Sequence, residues 1–362
     1  MNTHAWGLAL ALAAGAAAGF GGEDPPAPRE VDRAIENGLK WLAEHQVAEG
    51  PAAGSWECVE YRAAAASLAG LAFLANGHRP GDGPYGAVLE RSMRYVRETM
   101  RPDGYLGASD GTMYVHAMCT LFGLSYLGRS EKDEGEKELA EWCRKAVNLV
   151  VEAQKVRKGA YARGGWKYRP DDPDSDLSVT TWMLTVLHAA RQCGYAIDPA
   201  VFDAGLAYVN RSFVENEQGE AGFRYSQHNF EPKSPAVSGA AVFVKVLLEQ
   251  TVDERAKKAL KHLEGFPPQW GGRTYKNYFY FGTFYLALGQ FQAGDEAWAR
   301  YAGPLKRLLV DHQEGDGRWA LPPQTPVHAR NAGPAYPTAM AILILSLEKQ
   351  YLPMYQRQMR LF

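Results

Sequence analysis

The chain has 362 residues, of which 46% are hydrophobic and 22% are charged, and its formal net charge is −2. This composition is typical of globular proteins and excludes a disordered or collagen-like chain. A nucleic-acid-binding surface usually shows as clustered lysine and arginine, and the sequence has no long basic run. The composition therefore argues against nucleic acid as a partner.

The first twenty residues predict a secretory signal peptide. Residues Ala5 to Phe20 consist almost entirely of Ala, Leu and Gly, and this stretch is shorter than the ~20 apolar residues that span a bilayer. Small residues at Ala16 to Ala18 suit a cleavage site. Residues 21–30 are a Pro-rich linker, and the folded domain is expected over 31–362. We therefore expect an exported protein (periplasmic, envelope or secreted) without a membrane span after signal removal.

From residue 31 onward, a unit of roughly 50 to 60 residues recurs, which is the signature of a repeat architecture. Each unit has a charged amphipathic helix, a loop with Gly and an aromatic residue, and a second helix rich in Ala, Leu and aromatics. The predicted helix pairs are, in chain order, Val31–Gln46 and Tyr61–Leu74, Val88–Met100 and Met113–Leu127, Leu139–Gln154 and Leu177–Gln192, Pro199–Phe213 and Ala236–Gln250, Val252–Leu263 and Asn277–Phe291, and Trp298–Gln313 and Tyr336–Tyr351.

A single helix hairpin cannot bury its apolar face, but stacked neighbours bury theirs jointly. Polar first helices and apolar second helices indicate an outer ring around an inner ring. The fold expected is all-α, a single (α/α)6 toroid of six helix-hairpin repeats. Patterns typical of strands are almost absent. The residues after Pro353 are expected to pack back on the toroid as a short C-terminal strap.

Three loops carry a further pattern. Each begins with Gln and ends with Trp, namely Gln46 to Trp56, Gln154 to Trp166 and Gln313 to Trp319. These loops resemble the Gln-Trp repeats of squalene-hopene cyclases, whose α/α toroid also occurs in the β subunits of protein prenyltransferases. The resemblance covers about residues 31–351 and implies the toroid fold. It also implies an isoprenoid or other apolar small molecule as a ligand of the bore.

The third unit resembles the cyclases in more detail. Asp174-Ser175-Asp176-Leu177-Ser178 is similar to their Asp-x-Asp-Asp-Thr motif, whose middle Asp protonates an alkene. By that resemblance Asp176 is a candidate general acid and Asp174 its neighbouring carboxylate, whereas Leu177 replaces the last Asp. The alternative is that both carboxylates cap a helix N-terminus.

The prenyltransferase branch implies a zinc site of an Asp-x-Cys pair and a later His. His116 matches the His, but the preceding unit reads Tyr61-Arg62-Ala63 where the pair should stand. Because a catalytic zinc takes about three protein ligands, no metal is expected. No other cofactor is expected either.

Aromatic side chains are dense near the start of several inner helices, above all between Tyr275 and Tyr285. Such rings stabilise cations, stack on sugars or fill the bore. The candidate ligand-binding residues are Trp166, Tyr168, Trp182, His116, Tyr114, Tyr278, Tyr280 and Tyr285.

Three functions remain open at this point. The sequence favours a non-catalytic binding or interaction module that binds an apolar molecule, an envelope protein or a glycan. The first alternative is an isoprenoid enzyme of the class II terpene-cyclase type, with Asp176 as general acid. The second is a carbohydrate-active enzyme, because α/α barrels also house glycosidases and lyases.

Overall fold

The computed structural model describes residues 24–107, 112–129, 133–228, 234–271, 278–323 and 325–357. The predicted signal peptide lies outside them. Two sets of helices alternate along the chain. The outer helices are α1 Pro28–Glu44, α3 Gly86–Glu98, α5 Asp133–Lys155, α7 Pro199–Arg211, α9 Glu254–Leu263 and α11 Asp295–Asp311. The inner helices are α2 Arg62–Leu74, α4 Met113–Tyr126, α6 Leu177–Gln192, α8 Pro235–Glu249, α10 Phe279–Ala293 and α13 Ala335–Leu345, and a short helix α12, Val327–Asn331, precedes the last one.

The inner helices close into a ring. Each contacts the next in the order α2, α4, α6, α8, α10 and α13, and α13 returns to α2. Burial follows from composition: every residue of α2 from Ala63 to Leu74 is buried, whereas the polar face of α1 is exposed. The prediction of an all-α toroid with inner and outer rings is confirmed.

The Gln-to-Trp loops fasten each unit to its neighbour. The side-chain amide of Gln46 donates to the carbonyl of Val88 at 3.0 Å, in the outer helix of the next unit. Gln154 makes the equivalent bond in the third unit. Gln313 donates to the Ala34 carbonyl at 2.8 Å and so joins the last unit to the first. Each loop Trp is at most 1% exposed and donates its indole N–H to a carbonyl of its own outer helix.

Glycine is required where these loops meet the next unit. Gly164 has φ of +88°, and a Cβ there would lie 2.1 Å from the carbonyl oxygen of Ala204. Gly317 has φ of +96°, and its Cβ would lie 2.7 Å from the carbonyl oxygen of Asn37. Any side chain would therefore push neighbouring units apart.

Three local predictions need correction. Phe213–Glu215 pairs with Ala221–Phe223 as a short antiparallel hairpin, and runs of three residues are too short to show alternation in sequence. Helix α5 begins already at Asp133 rather than Leu139. The last inner helix ends at Leu345 and is followed by the 3-10 turn Leu347–Lys349, which ends where Gln350 adopts a left-handed conformation with φ of 51°.

The chain then returns across the toroid. The 3-10 turn Pro353–Tyr355 contacts α6, and the buried Tyr355 hydroxyl donates to the Leu343 carbonyl at 3.3 Å. This segment covers the end of the bore at which the inner helices finish. None of the helices in the described part of the chain combines the length and apolarity needed to cross a bilayer.

Candidate active site

Asp176 is the N-cap of inner helix α6. Its Oδ1 accepts from the backbone N–H of Val179 at 2.9 Å and from the Ser178 hydroxyl at 2.7 Å. Its own N–H donates to the Trp166 carbonyl at 2.9 Å, which ties the helix start to the loop of the same unit. The next N–H, of Leu177, donates to the Tyr225 carbonyl of the following unit. Two loops and a helix therefore fix the carboxyl.

The two oxygens of this carboxyl differ. Oδ2 is buried, and no described donor meets it at the distance and angle of a formed hydrogen bond. Burial raises the pKa of Asp176 to about 6, against the lowering effect of Val179, Ser178, Tyr225 and Lys167. The Tyr225 hydroxyl acts on this pKa as a hydrogen-bonding neighbour of Asp176, and it also bonds the Tyr168 hydroxyl. A protonated Asp176 would carry its proton on Oδ2, because Oδ1 already accepts two bonds.

Hydroxyl groups surround the carboxyl. The Tyr114 hydroxyl, on helix α4, lies 2.5 Å from the Ser178 hydroxyl and is thereby one step from Asp176. Burial raises the pKa of Tyr114 well above its ordinary value, so this phenol is neutral. Tyr168 and Tyr225 form the second hydroxyl pair, and the Tyr168 side chain is 38% exposed at the rim. The carboxyl therefore sits below a rim of tyrosines.

Below the carboxyl, aromatic rings line the bore in two levels. At the upper level Tyr114 of α4 meets Phe281 of α10 edge-on, with 6.0 Å between ring centroids. At the lower level the Trp182 ring is 5.8 Å from Tyr285 and 6.3 Å from Phe284. The rings of α4 and α10 thus contact each other from opposite sides of the bore.

Asp174 lies in a different environment. Its carboxylate pairs with Lys167 at 2.9 Å and accepts from the Ser175 N–H. Burial acts to raise the pKa of Asp174, but the Lys167 hydrogen bond and charge and the Ser175 N–H outweigh it, and the pKa is lowered. The two candidate acids are therefore driven apart, one towards the protonated form and one towards the carboxylate.

The structure brings together Asp176, Tyr114, Tyr168, Trp182 and Tyr285 from the sequence-predicted set. It places three others outside this cluster. Trp166 is a buried anchor whose carbonyl holds the Asp176 N–H. The Tyr280 hydroxyl donates to the Ala320 carbonyl at 2.8 Å, in the seam with the last unit. Tyr278 is 41% exposed at the rim, and its ring packs on that of His328 with 5.3 Å between the centroids.

His116 also lies apart from the bore. Its Nδ1 accepts from the Leu106 N–H at 3.2 Å, so its Nε2 is the protonated nitrogen and donates to the Ala146 carbonyl at 3.0 Å. Burial lowers its pKa to about 4. The ring is thus a neutral link between the second loop and outer helix α5. Among the described residues, no group of three His, Cys, Asp or Glu side chains could hold a metal ion.

Tyr225 was missed by the sequence interpretation. The signal for it exists, because Gly165-Trp166-Lys167-Tyr168 in the third unit recurs as Gly222-Phe223-Arg224-Tyr225 in the fourth. Aligned loops place their final tyrosines at equivalent positions, and the two hydroxyls meet above Asp176. An alignment of the repeats against each other finds this residue.

Solved terpene cyclases and glycosidases share this fold. The type II terpene cyclase MstE from Scytonema is similar with a TM-score of 0.55 and 13% identity over 90% of this chain and 100% of that one. An α-1,6-mannanase of Salegentibacter has a TM-score of 0.59 and 10% identity, over 90% and 99% of the two chains. A glycosidase is similar with a TM-score of 0.56 and 15% identity, over 90% of this chain and 100% of that one.

The chain has the α/α-toroid fold of terpene cyclases and glycosidases. At these identities the likeness concerns the fold alone. The MstE cyclase has been solved with its substrate, geranylgeranyl dihydroxybenzoate, and the mannanase with α-1,6-mannotetrose. No family model matches this sequence, and no curated protein matches it either.

Proposed function

We propose that the protein is an acid catalyst that acts on an apolar, isoprenoid-like substrate held in the aromatic bore, with Asp176 as the general acid. The observation that carries this proposal is the state of its carboxyl. One oxygen is saturated by hydrogen bonds, whereas the other is buried without a described partner and the pKa is raised to about 6. Buried groups whose pKa values are strongly shifted are candidates for catalytic residues.

Helix capping alone does not explain the raised pKa of Asp176. Another capping aspartate in the same chain, Asp253, shows the difference. Asp253 caps α9 with the same geometry, its Oδ1 accepting from the Ala256 N–H at 2.9 Å. Its second oxygen pairs with Lys245 at 3.1 Å, and although burial acts to raise its pKa, Ala256 and Lys245 outweigh burial and lower it. A cap thus needs one oxygen, and the second oxygen of Asp176, unlike that of Asp253, has no ion-pair partner among the described residues.

The surroundings favour a cationic intermediate. The rings of Tyr114, Phe281, Trp182, Phe284 and Tyr285 present faces and edges below the acid, and aromatic faces stabilise positive charge. With a pKa of about 6, roughly a tenth of the Asp176 carboxyls carry a proton at pH 7. After proton transfer, the carboxylate would be held by the Ser178 hydroxyl, the Val179 N–H and the positive end of α6.

A carbohydrate-active enzyme is the second candidate, favoured by the partly exposed Tyr168 and Tyr278 at the rim, where rings could stack on sugars. Glycoside hydrolysis needs two carboxyl groups facing the scissile bond. Of the described residues, those that act most strongly on the pKa of Asp176 include no carboxylate. Asp174, the nearest in sequence, is engaged by Lys167. The acid site therefore supports the isoprenoid function more directly.

The experiment is a product assay with a matched pair of variants. The purified protein is incubated with squalene, geranylgeraniol and a geranylgeranylated phenol, and organic extracts are analysed by gas chromatography and mass spectrometry. Asp176→Asn is expected to lower turnover by about 100-fold or more, the range of general-acid contributions. Asp253→Asn, the other carboxylate cap, should retain activity.

Two outcomes would contradict the proposal. Turnover that is equal in the parent and in Asp176→Asn would remove the acid role. A substrate that binds, as seen by native mass spectrometry, and is recovered unchanged would instead support the non-catalytic binding module that the sequence favoured.

A further inference from the structure

A cavity of about 370 Å³ lies at the end of the toroid where the inner helices finish. The last residues of α8 and α10, the start of α11 and the C-terminal strap form its wall. Because α8 and α10 have 15 residues each, about 22 Å of helix separates it from the level at which the inner helices begin. Its volume lies in the range of small-molecule sites. The wall has an apolar side of Val246, Leu247 and Val252 and a polar side that includes Gln292, Asp295 and Arg357.

Arg357 lines this cavity with a guanidinium that uses only part of its donors. Nη1 pairs with the Asp295 carboxylate, and the Phe291 ring covers one face, with 3.8 Å from Cζ to the ring centroid. Nε and Nη2 are buried and have no partner among the described residues. These two nitrogens form one edge of the planar group, and their N–H bonds lie in its plane, where a ring on the face does not reach them. One complete pair of parallel donors is therefore unused.

The other unpartnered buried donors in the described part of the chain are of a different kind. They are single neutral groups, on Trp41, Trp182, Tyr208, Thr283 and Tyr285. None of those residues lines the cavity. A charged donor without an acceptor costs more than a neutral one. Arg357 alone among these residues combines a charge, two unpartnered donors on one edge and a cavity beside it.

The carboxylates around the cavity are engaged elsewhere. Asp295 is neutralised by Nη1 of Arg357. Both oxygens of Glu348 accept short bonds from neighbouring side chains, at 2.6 and 2.7 Å. Glu296 is 89% exposed and pairs with Arg300 at 3.2 Å. Helix α11 begins after Gly294, which has no side chain to cap the first N–H groups, so the positive end of this helix also borders the cavity. An anion would therefore meet positive charge here.

We propose that this cavity binds a small organic acid, whose carboxylate takes the two unused donors of Arg357 and whose body packs on the apolar side of the wall. A carboxylate matches the edge of a guanidinium with two parallel bonds. The two nitrogens are buried, whereas the whole side chain is 23% exposed, so binding includes a small movement of the guanidinium towards the cavity. The site is separate from the bore and does not depend on the acid role of Asp176.

The test is calorimetric titration in a chloride buffer with hexanoate, hexanamide and inorganic phosphate. Hexanoate should bind the parent about 10-fold or more tightly than hexanamide, which lacks the charge, and than phosphate, which lacks the apolar body. Arg357→Lys keeps a positive charge beside Asp295 without the paired donors, and it should weaken hexanoate binding about 10-fold, the value of one hydrogen bond to a charged group. Arg300→Lys, at a surface ion pair of α11, should change the affinity less than about twofold.

A second variant tests the cavity itself. Ala293→Leu fills part of it, leaves Arg357 in place and should also weaken hexanoate binding. Asp176→Asn should bind hexanoate as tightly as the parent, so the fate of this site and that of the proposed acid can be told apart. The proposal is overturned if hexanoate does not bind the parent, if hexanamide or phosphate binds as tightly, or if Arg357→Lys and Ala293→Leu leave the affinity unchanged. Circular dichroism checks that each variant is folded.

Discussion

The unfolding free energy of Asp176→Asn should rise relative to that of the parent as the pH goes from acidic to neutral. The substitution keeps the capping oxygen, since Asn is as good an N-cap as Asp, and removes only the ionisable group. Burial raises the pKa of Asp176 from 3.8 to about 6, so the folded state binds more protons than the unfolded state between those values. The stability of the parent therefore falls as pH rises through this window.

The size of the effect follows from the two pKa values. A shift of one unit in pKa corresponds to about 1.4 kcal/mol. Ionisation of the buried carboxyl therefore lowers the unfolding free energy by about 3 kcal/mol at pH 7 and above. Roughly half a kcal/mol of this is already present at pH 4, where the unfolded carboxyl is partly ionised. The difference in unfolding free energy between Asp176→Asn and the parent should therefore grow by about 2 to 3 kcal/mol from pH 4 to pH 7.5.

The assay is guanidinium unfolding of both proteins at several pH values, followed by circular dichroism. Comparing differences cancels any constant effect of the amide and the titration of all other groups. Asp253→Asn serves as the matched cap, and its difference from the parent should move the other way, because its folded-state pKa is lowered. A difference for Asp176→Asn that is independent of pH would refute the argument that this carboxyl is destabilised by burial.

Three further predictions follow from contacts described above. Gln313→Ala removes the amide that joins the last unit to the first and should lower stability by about 1–2 kcal/mol in chemical unfolding, whereas Ala at the exposed Gln218 should have no effect. Gly70→Ala puts a Cβ 2.3 Å from a buried aromatic ring and should cost about 1–3 kcal/mol, whereas Gly135→Ala, with open space in α5, should raise the melting temperature. The ring of His116, whose pKa burial lowers to about 4, should show no titration above pH 5 by NMR, and the stability it contributes is lost as pH falls from 6.5 to 4. A shift of its ring resonances between pH 6 and 7 would contradict that assignment.

The fold was predictable because it rests on periodic burial. Apolar second helices and polar first helices determine which ring each occupies, and the Gln-to-Trp loops mark the junctions between units. The site was only partly predictable. Asp176 was found through its motif, but a sequence cannot show that one of its oxygens would be saturated and the other left without a partner. That distinction depends on Ser178, Val179 and the Tyr225 carbonyl meeting at one helix end.

The sequence also does not distinguish aromatic residues of the bore from those of the seams between units. Tyr280 and Tyr285 are five positions apart on α10 and are equally aromatic, yet they point to different surroundings. Tyr280 reaches the seam with the last unit, whereas Tyr285 reaches the bore beside Trp182. Composition marked both as candidates, and only the helix rotation relative to its neighbours separates them.

The hydrogen bond from Gln313 to Ala34 has a consequence for how the molecule comes apart. In a linear array the end repeats have one neighbour each and fray first, so unfolding can begin at either tip. Here the first and last units are each flanked on both sides, and no unit is an end. Opening any seam turns the ring into an arc with two unprotected faces, so the loss of one unit removes support from two others. The molecule is thus expected to unfold in one cooperative step.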